Sequence, residues 1–412
     1  MLDLQEWQDP RSLFISTCFS LSLRVILKDN SRGKVTAGLL RSYIMNQRKP
    51  SLSSRSSLMK RSRSGAIVFC VLGLLLLSGC SSGKEALEQL SGRRVQLFFA
   101  TDRNDTGRAE PDSRFGSERD SLHYGTTVIS FPADHRIGQL ESSLLADDAL
   151  EHVLLKEVNS MSEERFFCLL TQSVNAYDKQ ELLVFVHGFN VSFAKASRRF
   201  GQIVSDLGYS GCPVYFSWPS RGAINRYAAD KTCVEWSTLN LECFLEQLAV
   251  RSGPRKIILT AHSMGGRALT YAFSSLLQRR PDLADRFGAL LLYAPDIDSG
   301  VFRRDIAPVL SASGVRVTLY VSGRDRALKV SRSLNGYERV GYVEDRPLIE
   351  KGIETIDVGN VKAGFSGHSY YHQSRQVLSD MFYLINEGLP ADERFSLEPV
   401  DTSDGRYWRF RR

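Results

Sequence analysis

Ser263, Asp325 and His368 are the side chains whose types and order could carry nucleophilic catalysis. A serine hydroxyl is a poor nucleophile until a base takes its proton. His368 would be that base, and Asp325 would fix the imidazole tautomer and stabilise its cation. Ser263 sits in Ala261-His-Ser-Met-Gly265, a near match to the Gly-x-Ser-x-Gly elbow in which a sharp strand-to-helix turn exposes the hydroxyl. Such a turn needs small residues on either side of the serine. Gly265 and Gly266 supply them on the helix side, and Ala261 stands where the first glycine would be. The oxyanion of the tetrahedral intermediate needs preorganised donors, each worth about 3–4 kcal/mol. The backbone N–H groups of Met264 and of Phe189, in His187-Gly-Phe-Asn190, are the candidates.

The elements around these residues alternate. Ile257, Ile258 and Leu259 form a short apolar run expected of a strand buried on both faces. After Ser263, the residues Ala268, Leu269, Ala272 and Phe273 recur at helical spacing. Upstream, strands are expected at 95–103, 126–131, 166–170, 182–187 and 214–218, with helices near 149–159 and at 193–207 and 233–251. The polar stretch 104–120 reads as a surface loop. Downstream, strands are expected at 289–293, 316–322 and 354–358, with helices at 301–311 and 370–387. Strand–helix alternation of this kind predicts a mostly parallel sheet with helices on both faces, and ligands bind beyond the carboxyl ends of its strands. Ser263, Asp325, His368 and His187 all fall at such ends.

Rivals exist for two of the three. Asp296 and Asp298 follow the strand directly after the elbow, but the strand two places on is the usual site of the acid, which favours Asp325. The other two then read as caps of the next helix. His372 lies one turn beyond His368 and within the expected helix. His262 is locked beside the nucleophile by the turn, and His123, His135 and His152 precede the elbow and read as surface residues. Segments 219–231 and 335–351 could form flaps over the site.

Six spaced motifs carry a resemblance: His187-Gly-Phe-Asn, Phe216-Ser-Trp-Pro-Ser-Arg-Gly222, Ala261-His-Ser-Met-Gly-Gly, Ala294-Pro-Asp-Ile-Asp, Ser322-Gly-Arg-Asp-Arg-Ala-Leu328 and Gly367-His-Ser-Tyr370. Together they resemble a bacterial α/β-hydrolase family of esterase/lipase type and unknown function, from about Phe98-Phe-Ala-Thr-Asp-Arg103 to Glu387. The order Ser, Asp, His is the one such enzymes follow. The resemblance implies an α/β-hydrolase fold with Ser263, Asp325 and His368 as triad, and no particular substrate.

The N-terminal part reads differently. Lys60-Arg-Ser-Arg-Ser-Gly, an apolar run from Ala66 and Leu77-Ser-Gly-Cys80 make a bacterial signal peptide over 59–79. Its end resembles a lipobox, which implies a lipidated Cys80 as first mature residue. Residues 1–58 read as upstream or disordered leader, 80–92 as a tether, 93–390 as the hydrolase domain and 391–412 as a C-terminal tail. Ser81 after the cysteine suggests the outer membrane, facing the periplasm. The chain carries 53 Lys+Arg against 46 Asp+Glu, a net charge of +7. Residues 1–79 hold 12 of the basic and 4 of the acidic ones, leaving 41 against 42, or −1, from Cys80 on. Such a balance gives no basis for nucleic-acid binding. Beyond Cys80 remain Cys168, Cys212, Cys233 and Cys243, which export would allow to form two disulfides, buried free thiols being the alternative. No Cys/His cluster suggests a metal, and no cofactor is expected. The expected activity is hydrolysis of a small-molecule ester or lipid through an acyl-enzyme. A catalytically idle envelope scaffold and an acyltransferase or amidase using the same triad are the competing readings.

Overall fold

The computed structural model describes residues 92–142, 151–362, 364 and 366–412. The expected leader, the signal peptide, Cys80 and nearly all of the tether lie outside them. The strands are β1 (Arg94–Asp105), β2 (Phe115–Ser130), β3 (Leu154–Met161), β4 (Glu181–Val186), β5 (Cys212–Ser217), β6 (Lys256–His262), β7 (Phe287–Tyr293), β8 (Arg316–Val321), β9 (Ile353–Asp357), β10 (Leu397–Thr402) and β11 (Gly405–Phe410). The main helices are α1 (Glu163–Ala176), α2 (Phe193–Asp206), α3 (Tyr227–Arg251), α4 (Met264–Arg279), α5 (Ala307–Ala312), α6 (Arg326–Asn335) and α7 (Arg375–Glu387).

All eleven strands form one sheet in the order β10-β11-β9-β8-β7-β6-β4-β5-β1-β2-β3. Pairing is parallel from β11 through β9 to β1, and antiparallel only toward the two ends. The period-2 alternation of strand side chains assigns the layers. In β6, Ile257, Leu259 and Ala261 enter one core with Phe166, Leu241, Phe244, Ala268, Leu269 and Phe273, so α1, α3 and α4 cover that face. Ile258 enters the other core with Phe200, Ile203, Val377 and Leu384, from α2 and α7. Leu269 and Phe273 of α4 are fully buried, each contributing about 2–3 kcal/mol by removal from water.

The topology also selects a crevice. After β4 the chain steps to β5 on one side, then returns to β6 on the other side of β4 and proceeds outward through β7, β8 and β9. The loops leaving β4 and β6 therefore diverge, opening a crevice at the point where such sheets bind ligands.

Five expectations need correction. The apolar run at 166–170 is not a strand but part of α1, and the expected helix near 149–159 is instead strand β3 from Leu154. A short apolar run does not distinguish the two by itself. Ser162 caps α1, accepting from the Arg165 N–H at 3.4 Å, with Glu163 and Glu164 in the first turn where the helix dipole favours them. Residues 104–120 are not all loop, since β1 runs to Asp105 and β2 starts at Phe115, the two extending into a long hairpin. The last helix starts as a turn at Tyr370–Gln373 and restarts after Ser374, which caps α7. Residues 391–412 are not a separate tail but carry the β10–β11 hairpin, which joins the sheet beside β9. Cys168, Cys212, Cys233 and Cys243 are all free thiols, the middle two buried.

Candidate active site

Backbone strain gathers where the crevice opens. Asn190 after β4, Ser263 after β6 and Ala294 after β7 have positive φ, at 62°, 53° and 47°. Non-glycine residues rarely adopt this region, and they hold it only where the surroundings over-determine it. At Ser263 the turn from β6 into α4 is so tight that helix and neighbouring strand touch. A Cβ on Gly265 would lie 2.2 Å from the His187 carbonyl oxygen, whereas one on Gly266 would meet nothing closer than 3.5 Å. Of the two glycines, only Gly265 is demanded by the approach. Gly265→Ala is thus expected to destabilise by several kcal/mol or to displace the loop after β4, while Gly266→Ala should be well tolerated. Denaturant unfolding of both variants tests this, and equal midpoints would contradict it.

The expected acid and the expected base meet directly. His368 Nδ1–H donates to Asp325 Oδ2 at 2.6 Å. Asp325 is wholly buried, and its other oxygen accepts from the Leu328 N–H at 2.9 Å, capping α6. Three contacts seat the base loop. Gly367, with φ +66°, packs so closely that a Cβ would lie 2.4 Å from the Arg324 carbonyl oxygen. The Tyr370 hydroxyl donates to the Tyr320 carbonyl at 2.7 Å and accepts from the Ala294 N–H at 2.8 Å. His262 Nε2–H donates to the His368 carbonyl at 3.1 Å, with the two rings 4.5 Å apart. Through His262, the residue preceding the serine, the base loop is fastened to the elbow itself.

Ser263 is 4% exposed. Among the described residues no hydrogen bond joins its hydroxyl to the His368 ring, so the pair stands untightened; such contacts often close only when substrate binds. Gly188 overlies the serine, since a Cβ there would lie 3.0 Å from the Ser263 Cβ. That brings the following residue, Phe189, to the same crevice. Neither the Phe189 nor the Met264 N–H donates to another described residue. Two uncommitted donors beside the serine are what an oxyanion needs.

The rivals are occupied elsewhere. Asp296 accepts from Tyr227 Oη at 2.8 Å and from Ser331 Oγ at 2.5 Å, with Arg339 at 3.5 Å, and it caps no helix. Asp298 does cap one, accepting from the Val301 N–H at 3.0 Å. His372 packs against Arg199, which donates to its ring. His135 is not simply a surface residue; it bridges Glu141 at 2.8 Å and Asp206 at 3.0 Å. Segment 335–351 is stitched down rather than free, through Val340 to Ile297 and Gly341 to Pro295. Segment 219–231 does reach the site, where Tyr227 meets Phe189 edge-on at 5.5 Å.

The sequence pattern left several supports unread. Arg103, wholly buried in β1, donates to Ser217 Oγ, to the carbonyls of Gly116, Ser220 and Val191, and faces His187 Nε2 at 3.3 Å. His187 stacks on Trp218 and donates from Nδ1 to the Gly188 carbonyl at 2.9 Å. The polar flanks of Arg103, in Thr101-Asp-Arg-Asn-Asp105, gave no signal of burial, and only the fold shows the partners that allow a charge to be buried there. Burial, aided by Arg103, pushes His187 down to about 3. His262 and His372 are likewise held well below the ordinary histidine range, burial being the main cause.

These three buried neutral histidines set a pH dependence. Their folded-state values lie below the unfolded one, so the stability they contribute is complete above about pH 6.5 and is lost as pH falls below it, for His187 toward about 3. His187 alone adds up to about 1.4 kcal/mol per pH unit in that window. Unfolding midpoints measured between pH 7 and pH 4 should fall steeply, and His372→Gln should flatten the slope. A midpoint independent of pH there would contradict it.

Two clefts flank these elements. One of about 1220 Å3 lies at the opposite end of the strands, lined by Lys256, Arg316 and Ile353, away from this chemistry. A smaller one of about 640 Å3 adjoins Asp325 and Gly367.

The model of a family described as alpha/beta hydrolase of unknown function (DUF900) matches residues 163–386. No curated protein matches the chain. Among solved structures, similar ones include a predicted CIB-like hydrolase from Thermoplasma acidophilum, at 12% identity over 57% of this chain and 91% of that one, with a TM-score of 0.29. A lipase-esterase related protein from Clostridium acetobutylicum matches at 11% identity over 51% and 94%, TM-score 0.31. A peroxisomal alpha-beta-hydrolase from Saccharomyces cerevisiae matches at 10% identity over 72% and 90%, TM-score 0.30.

Proposed function

Since the chain belongs to the alpha/beta hydrolases of unknown function that the DUF900 model describes, we propose that it is a serine hydrolase cleaving carboxylic esters through Ser263, His368 and Asp325. The observation that carries this reading is the 2.6 Å bond from His368 Nδ1–H to a fully buried Asp325. That bond leaves Nε2 of the same ring unprotonated and free to act as base.

Ser263 Oγ attacks the ester carbonyl as His368 Nε2 takes its proton. The carbonyl oxygen becomes an oxyanion between the N–H groups of Phe189 and Met264. Asp325 holds the imidazolium that forms. The intermediate collapses, the C–O bond to the alcohol breaks, and the alkoxide takes the proton from His368. Water then repeats the sequence against the acyl-enzyme, returning acid and free serine. The lipid tether is part of the same reading: the mature protein begins at lipidated Cys80 and acts at a membrane surface of the cell envelope. An intact mass of the native protein tests that part, and a soluble species retaining residues 59–79 would refute it.

A fluorophosphonate reacts with a serine only where a base and an oxyanion site adjoin it. Labelling should fall on the single tryptic peptide that contains Ser263, and a panel of esters of rising chain length should show turnover. A wild-type protein that takes no label and cleaves no ester would favour a scaffold role.

A further inference from the structure

The helix that Asp325 caps presents a second surface. Its buried side carries Leu328 and Ser331, and its outer side carries Arg326, Lys329, Val330 and Leu334 at spacings of three and four residues. Tyr337 lies just beyond the Gly336 cap and is exposed as well. Val330, Leu334 and Tyr337 are 58%, 65% and 70% exposed, an apolar stripe of a kind that seldom stands in water without a purpose. Helix α6 contains three basic residues and no acidic one. At its start the 640 Å3 cleft is lined by Arg324, Arg326, Lys329 and Lys362 against one acid, the buried Asp325 that His368 already engages, and by Gly364 and Gly367. Apolar side chains flanked by cations on one helical face match the layer of a bilayer where acyl chains meet anionic headgroups.

We propose that this outer face of α6, with the basic cleft at its start, docks on the headgroup layer of an anionic lipid bilayer. Val330, Leu334 and Tyr337 enter the acyl boundary, and the cleft receives a headgroup phosphate. With a rise of about 1.5 Å per residue, Leu334 lies about 14 Å along the helix from Asp325. The docked face is therefore adjacent to the site, and an ester in the same leaflet has a short way to travel. No helix among the described residues is long and apolar enough to cross a membrane, and docking of this kind requires none. The docking stands independently of the reading of Ser263 as a nucleophile.

The test uses the full-length chain with Tyr337→Trp, added to vesicles of phosphatidylcholine containing about one-third phosphatidylglycerol and a lipid with a shallow acyl-chain spin label. A lipid anchor would bring the chain to any vesicle, so the readout is local quenching of residue 337 above the wild-type background. Quenching of about twofold is expected in the anionic vesicles, falling toward background in pure phosphatidylcholine and in 0.5 M salt, a concentration at which screening is strong. Adding Val330→Asp and Leu334→Asp should abolish it, and Arg324→Glu with Lys362→Glu should remove the preference for anionic lipid. Absence of quenching, equal quenching in both vesicle types, or quenching unchanged by these substitutions overturns the proposal. So does a dimer in solution that Leu334→Asp dissolves, which would make the face a contact between copies. Fluorophosphonate labelling of Ser263 without vesicles should be unaffected by Val330→Asp and Leu334→Asp. Loss of labelling in the unsubstituted chain refutes the hydrolase reading and leaves the docking result standing.

Discussion

Ser263→Ala is expected to lower ester turnover by about 10^6-fold, as found when a triad nucleophile is removed, while leaving the fold intact. The substitution deletes one oxygen at a residue whose backbone is held from both sides. The Ser263 N–H donates to the Tyr293 carbonyl at 2.9 Å, and its own carbonyl accepts from Gly266 and Asp296 at 3.0 and 3.2 Å. None of these bonds involves the hydroxyl, so stability should change by well under the effect on turnover. Alanine also tolerates the φ of 53° no worse than serine does. A folded Ser263→Ala protein that hydrolyses p-nitrophenyl esters at the wild-type rate would move the site elsewhere.

Asp325→Asn should cost about 10^4-fold in turnover, because an amide facing His368 Nδ1 favours the wrong tautomer. This carboxylate has two duties, and the substitution separates them. One oxygen caps α6 through the Leu328 N–H, which an asparagine carbonyl can still do, and the other orients the base. Asn should therefore preserve the unfolding midpoint, whereas Asp325→Ala should lose the cap as well, about 1 kcal/mol. Asp296→Asn is the control. Its partners are Tyr227, Ser331 and Arg339, so it should affect stability more than turnover. Should Asp296→Asn prove the larger loss in turnover, Asp325 is not the acid.

The placement of the candidate site residues after strand ends was more legible than the scaffold that holds them. Ser263, Asp325 and His368 stand out because each follows a parallel strand, and strand ends are marked by an abrupt change from β-branched residues to glycine and polar types. Gly265 and Gly266 were both readable as small residues that the turn needs, and the structure shows that only Gly265 is demanded by close approach; the need for glycine at Gly367 appears only in the fold. What could not be read is what crosses between distant segments. His262 looked sterically idle beside the nucleophile, and only the fold shows its ring fastened to the base loop, 106 residues later in the chain. Arg103 serves the loop after β4 in the same way from 84 residues upstream of His187. Periodicity failed where segments were short or mixed, as at α1 and β3. There the capping serine at 162 and the two glutamates after it carried the information that the apolar run did not.

The two outermost strands have a bearing on how this protein avoids its own kind. A sheet of eleven strands ends in two rows of unpaired amides, each a template on which another chain could lay a strand. On β3, Lys156 and Glu157 put charges along the rim. On β10, Pro399 supplies no N–H, and Glu398 and Asp401 flank it with like charge. Next inward, β9 carries Glu354 and Asp357 among the buried Ile353, Thr355 and Ile356, and β11 covers its flank through Trp408 and Arg409. Clipping the chain after Pro390 would remove that cover and leave β9 as an open parallel edge, so self-association is the expected consequence of losing the last twenty-two residues.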